Sequence, residues 1–95
     1  MSRLDTSANS NMSQISKLIV KLKNSPKTMK FSEIARILES FGYMMVTDGK
    51  TSGARVKFEN AKGHTLSLHK PHPRDEVLQY VVIQVKYFLE KERLI

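Results

Sequence analysis

The sequence predicts an α+β domain: a three-stranded antiparallel sheet with helices on one face, ordered α-β-β-β-α, and an extra helix ahead of it. Helix-period apolar stripes stand towards both ends, and three short alternating runs lie between them, joined by turns too short to hold crossover helices. Length sets the scale, because 95 residues hold one modest core rather than two.

Residues 1–11 are rich in serine and asparagine and are expected to form a disordered tail, leaving 12–95 as a single domain. Ile15, Leu18, Ile19 and Leu22 then recur at helical spacing, with Ser13 placed to cap the start and Asn24-Ser25-Pro26 placed to stop it. Lys17, Lys21 and Lys23 lie on the polar side of that helix and read as a solvated face. PKTMK follows as a basic linker. In FSEIARILESFGY the stripe Ile34, Ile37, Leu38 and Phe41 predicts a second helix, with Ser32 as N-cap, Glu33 at the positive end and Gly42 as the residue that ends it.

YMMVTD reads as the first strand, its methionines packing in the core or on the sheet. Asp48-Gly49-Lys50-Thr51-Ser52-Gly53 is a loop, and it lacks the spacing of a Walker phosphate loop. The runs ARVKF and HTLSLH, separated by the turn-rich ENAKG, form a basic hairpin that ends in HKPHP, whose prolines stop the last strand. Strand alternation places Ala54, Val56, Phe58, Leu66 and Leu68 on one face, and presents Arg55, Lys57, Thr65, Ser67 and His69 on the other, a surface suited to phosphates. The last element, from about Asp75 to Leu94, carries Val77, Tyr80, Val81, Val85, Phe88 and Leu89 in an approximate helical stripe broadened by Leu78, Val82 and Ile83. Asp75 and Glu76 suit its amino end, and Lys91 and Arg93 its carboxyl end.

The formal charge of +7 favours a polyanionic partner, and it is local: residues 12–30 and 49–74 each carry a net +5. The absence of cysteine excludes a disulfide framework, a thiolate nucleophile and a cysteine zinc site, and fits a reducing compartment. No segment approaches the ~20 apolar residues of a membrane span, so a cytoplasmic protein without membrane partners is expected. A His69/His72 metal pair is disfavoured because residues three apart on an extended segment do not share a face, and no motif calls for a cofactor. Neither Ser52 nor Ser67 lies in a nucleophile elbow.

The predicted α-β-β-β-α order is that of a double-stranded-RNA-binding domain (dsRBD-like). Over residues 27–95, FSEIARILESFGY, GKTSGARVKF and HTLSLHKPHP, followed by the terminal helix, resemble the HicA family of toxin-antitoxin systems. That resemblance implies a small dsRBD-like bacterial protein that cleaves or blocks messenger RNA and is neutralised by a HicB-type antitoxin. The family pattern sets glycine, serine and a functional histidine at the start of the second strand, whereas this chain reads Gly53, Ala54, Arg55. Arginine stays protonated, so it can hold a phosphate but cannot readily act as a base.

Metal-independent RNA cleavage needs a base for the 2′-hydroxyl, an acid for the leaving 5′-oxygen and cations around the phosphate. His69 is the candidate base, His72 the candidate acid, and Arg55, Lys57, Lys70 and Lys50 the candidate phosphate ligands, while His64 at the other end of its strand reads as structural. Two other readings stand beside the endoribonuclease: a non-catalytic RNA-binding module of the same fold, and a protein-interaction domain with a basic face. Phe58 and Phe88 look buried and only Tyr43 is available for the binding face, so base stacking is poorly supported.

Overall fold

The computed structural model describes residues 5–46, 55–71 and 74–95, with side chains of the first helix described from residue 14 onward. Along the chain stand α1 (Asp5–Lys23), β1 (Thr28–Lys30), α2 (Phe31–Ser40), β2 (Met44–Val46), β3 (Arg55–Glu59), β4 (Thr65–His69), β5 (Glu76–Leu78) and α3 (Gln79–Lys91). The class is α+β, with antiparallel strands β2-β3-β4 in one sheet and β1-β5 in another.

The meander forms because its alternation is strict. Val56, Phe58, Leu66 and Leu68 are buried while Arg55, Lys57, Thr65, Ser67 and His69 are exposed, so one face packs and the other meets water. Ile34, Ile37 and Leu38 of α2, Val81, Val82, Val85 and Leu89 of α3, and Leu22 of α1 complete one core against that inner face. Full burial of each such side chain contributes about 1.5–3 kcal/mol before chain entropy is counted. The rings of Phe31 and Phe58 lie 6.1 Å apart across the helix–sheet boundary, and Tyr43 meets Phe88 edge-on at 5.5 Å.

Helix α2 ends as its sequence requires. Gly42 adopts φ +88°, its N–H donates to the Glu39 carbonyl at 2.9 Å, and the Tyr43 N–H donates to the Leu38 carbonyl at 3.0 Å. This pair of bonds is a Schellman motif, which satisfies carbonyls that the helix itself leaves free. Its start differs from expectation: Lys30 occupies the N-cap, and the Glu33 carboxylate accepts the Lys30 backbone N–H at 3.1 Å. Ser32 lies inside the first turn instead, where its hydroxyl donates to Asp75 Oδ2 at 2.9 Å.

Four further expectations are corrected. PKTMK is not merely a linker, because Thr28, Met29 and Lys30 pair with Leu78, Val77 and Glu76, and the buried Met29 and Val77 seal that pairing from inside. Helix α3 consequently begins at Gln79, since Glu76, Val77 and Leu78 are extended and Asp75 precedes them, and it ends at Lys91. Helix α1 begins at Asp5 rather than Met12, so residues 5–11 belong to a helix; once its packed end is formed, each further turn needs only propagation. Met44 and Met45 are exposed because β2 is a short edge strand, while Tyr43 is buried, not available on a binding face.

Polar contacts tie the helices together. Lys21 of α1 reaches both carboxylate oxygens of Glu33 on α2, at 3.1 and 3.2 Å, and Arg36 donates to Gln14 at 3.2 Å. Burial opposes ionisation of Glu33, but the Lys30 N–H and the Lys21 and Lys30 ammonium groups outweigh it and hold the carboxyl below its ordinary range.

A depressed carboxylate stabilises the fold fully above its unfolded pKa, and that contribution is lost as pH falls through the lowered folded value. Acid unfolding of Glu33→Gln should therefore show a shallower loss of stability below the ordinary carboxylate range than the parent, measured by urea midpoints against pH. Met29→Ala should open the β1-β5 pairing and lower stability by about 2–5 kcal/mol in the same assay.

Candidate nucleic-acid interface

Which residues share the outer face follows from the hairpin register. Arg55 stands opposite His69, Lys57 opposite Ser67 and Glu59 opposite Thr65, and all but the half-buried Glu59 are exposed. The turn sets this register: Asn60 Oδ1 accepts the N–H groups of Lys62 and His64 at 3.0 and 2.9 Å, Gly63 takes φ +85°, and the Asn60 N–H donates to the His64 carbonyl at 3.1 Å. Asparagine and glycine suit these positions because one supplies a local acceptor and the other tolerates positive φ.

That closing bond also assigns the pair types. Hydrogen-bonded and non-hydrogen-bonded pairs alternate along an antiparallel ladder, so the even-numbered residues Val56, Phe58, Leu66 and Leu68 exchange ladder bonds. The Arg55·His69 and Lys57·Ser67 pairs are then of the non-hydrogen-bonded type, in which Cα atoms approach to about 4.5 Å and side chains lie closer together. An independent contact agrees, because the Ser67 carbonyl turns out of the ladder and accepts Gln84 Nε2 of α3 at 3.0 Å. A guanidinium, an imidazole and, one row along, an ammonium thus share one exposed patch of the sheet.

The third strand adds residues that reading the hairpin alone missed. Val46 stands opposite Lys57 and Met44 opposite Glu59, so both share the outer face with the cations. Met44 is 59 % exposed, which gives the face an apolar border along β2. Their alternation in YMMVTD already put them on one side; only the register against β3 shows which side. Glu59 marks the other limit, since its carboxylate repels phosphate and confines the cationic patch to the Arg55·His69 end.

Of the remaining candidates, the described ones do not join this patch. Lys70 is exposed but lies past the end of β4, where strand alternation no longer groups it with His69. Lys50 and His72 lie outside the described residues. His64 is at the turn end, roughly 16 Å along the strand from His69, with Nδ1 3.5 Å from Glu92 Oε1 of the α3 terminus. Near the same terminus, burial first and the Glu92 carboxylate second raise the Tyr43 phenol above its ordinary pKa, against a hydrogen bond with Asn60. His64, Asn60, Tyr43 and Glu92 therefore join the turn to α3 and hold the hairpin in place. Among the described residues no three His, Asp or Glu side chains gather as a metal site, and no described helix is long and apolar enough to cross a membrane.

Position along the hairpin should govern polyanion binding. Arg55→Ala and Lys57→Ala should each weaken binding to single-stranded RNA and lower the magnitude of the salt slope by about 0.7, whereas Lys62→Ala, at the turn, should change neither; fluorescence titrations across a salt series would measure this. Comparison of the chain with protein-family models, curated proteins and solved structures found no match.

Proposed function

We propose that this chain is an RNA-targeting toxin of HicA type: a dsRBD-like protein that binds messenger RNA on the outer face of its sheet and cleaves it without metal, and that a HicB-type antitoxin neutralises. The observation that carries the reading is the Arg55·His69 cross-strand pair on an exposed sheet face, with Lys57 one row away. An imidazole beside fixed cations supplies two of the three things that internal transesterification of RNA needs, a base and charge neutralisation at the phosphate, the third being an acid. His69 takes the proton from a 2′-hydroxyl, and the 2′-oxygen attacks the adjacent phosphorus. Arg55 and Lys57 neutralise the charge that builds on the phosphoryl oxygens. The bond to the 5′-oxygen then breaks, giving a 2′,3′-cyclic phosphate and a 5′-hydroxyl end. His72, three residues after His69 in sequence, is the candidate donor of the proton that the leaving oxygen needs.

One observation favours a second reading. The family's histidine position holds Arg55, which binds phosphate but remains protonated, so the site can be a binding face that does not cleave. Incubation of purified protein with a long single-stranded RNA in EDTA, resolved on a denaturing gel, separates the two. Cleavage by the parent that falls about 10²–10⁴-fold in His69→Ala supports the ribonuclease. Intact RNA, together with low-salt binding that is lost in Arg55→Ala, supports the binding module. Neither cleavage nor binding would overturn both and leave a protein-interaction domain.

A further inference from the structure

The far side of α3 is apolar where an amphipathic helix should be polar. Val81, Val82, Val85 and Leu89 are buried in the core, yet Tyr80, Ile83 and Tyr87 are 57, 48 and 65 % exposed. At 3.6 residues per turn these three lie together on the side opposite the buried stripe. Leu78, just ahead of the helix, is exposed as well. Two tyrosines around an isoleucine make the kind of surface that carries binding energy at protein interfaces, because each tyrosine supplies large rigid area with a polar tip.

We infer that this face is a homodimer interface, in which α3 of one chain packs antiparallel against α3 of a second copy. Symmetry is the first argument. Tyr80 and Tyr87 are equally distant from a point between Ile83 and Gln84, so a two-fold axis there sets each Tyr80 beside the other chain's Tyr87 and brings the two Ile83 side chains to the centre. Such a stripe complements itself in one orientation.

Charge is the second argument. The chain's cationic surplus lies in residues 12–30 and 49–74, while residues 75–95 carry a net −1. An acidic protein or a nucleic acid finds no net positive charge in this segment, and a second copy meets little repulsion there. Within this segment Asp75 and Glu76 precede the helix, and at its end Lys91 and Arg93 alternate with Glu90 and with Glu92, which faces His64. Antiparallel pairing brings Lys91 of each copy towards the acidic residues that precede α3 in the other and opposes the two helix dipoles. The electrostatic contribution is modest, because Asp75 already accepts the Ser32 hydroxyl and Glu76 stands opposite Lys30 in the β1-β5 register.

Tyr80, Ile83, Tyr87 and Leu78 are few residues beside the ~20–30 per side of a stable complex, so the dimer is concentration-dependent. It leaves the outer face of the sheet open, since α3 belongs to the core on the other side. Sedimentation velocity over a wide concentration range tests the inference. The parent should move from monomer to dimer, and Ile83→Glu should weaken association at least tenfold while its circular-dichroism melt stays near that of the parent. Orientation is tested separately, because the chain has no cysteine of its own. A mixture of Tyr80→Cys and Tyr87→Cys chains should form a mixed disulfide in preference to either chain with itself. A parent that stays monomeric throughout, a dimer indifferent to Ile83→Glu, or same-variant disulfides predominating would overturn it.

Discussion

The register between Arg55–Glu59 and Thr65–His69 is the constraint on which the rest of the molecule depends. With a side-chain period of two, a slip of one residue would turn Val56, Phe58, Leu66 and Leu68 to water and drive Arg55, Lys57 and His69 into the core. Burying an unpaired cation costs several kcal/mol, so the same alternation that builds the core also forces the basic side chains outward. Core and candidate site are two faces of one pattern. Asn60 and Gly63 protect that pattern by making the turn that sets its phase.

The inner face must then be covered, and α2 and α3 cover it. What keeps them there is in part the β1-β5 pairing, which joins the entry to α2 and the entry to α3 into one short antiparallel ribbon. The Phe31 N–H extends it by donating to the Asp75 carbonyl at 3.0 Å, and the Ser32–Asp75 hydrogen bond closes it from the side. Gln79 reaches the Ser25 carbonyl at 2.7 Å, so the α1–β1 connection is drawn to the same place. Three-residue strands would be marginal alone. Here Met29 and Val77 bury their side chains beneath them in the common core, which supplies the stability that the ladder lacks.

The polarity of the surfaces separates their uses. The outer sheet face is a cationic patch bordered by Met44 and Val46 and closed off by Glu59, whereas the far side of α3 is apolar and near neutral. Because the sheet and α3 sandwich the same core, these surfaces point away from one another.

The strict alternation of ARVKF and TLSLH and the stripe of α2 with its terminal Gly42 are local patterns, so the sequence by itself determined the hairpin, its exposed cations and the second helix. Arg55 and His69 could thus be placed on one face before any tertiary contact was known. Tertiary structure alone decided that they stand directly opposite one another, that β2 brings Met44 and Val46 beside them, and that Glu59 ends the patch, since these depend on register between segments. It also decided the β1-β5 ribbon: TMK and EVL are too short to show a period, and their pairing joins residues far apart in sequence. For the same reason VLQYVVIQV read as one helix although its first residues are extended, and Tyr80 and Ile83 read as part of one broad apolar stripe although they are exposed. A run apolar on all sides marks burial without saying which side is buried, and only the partner against which it packs makes that choice.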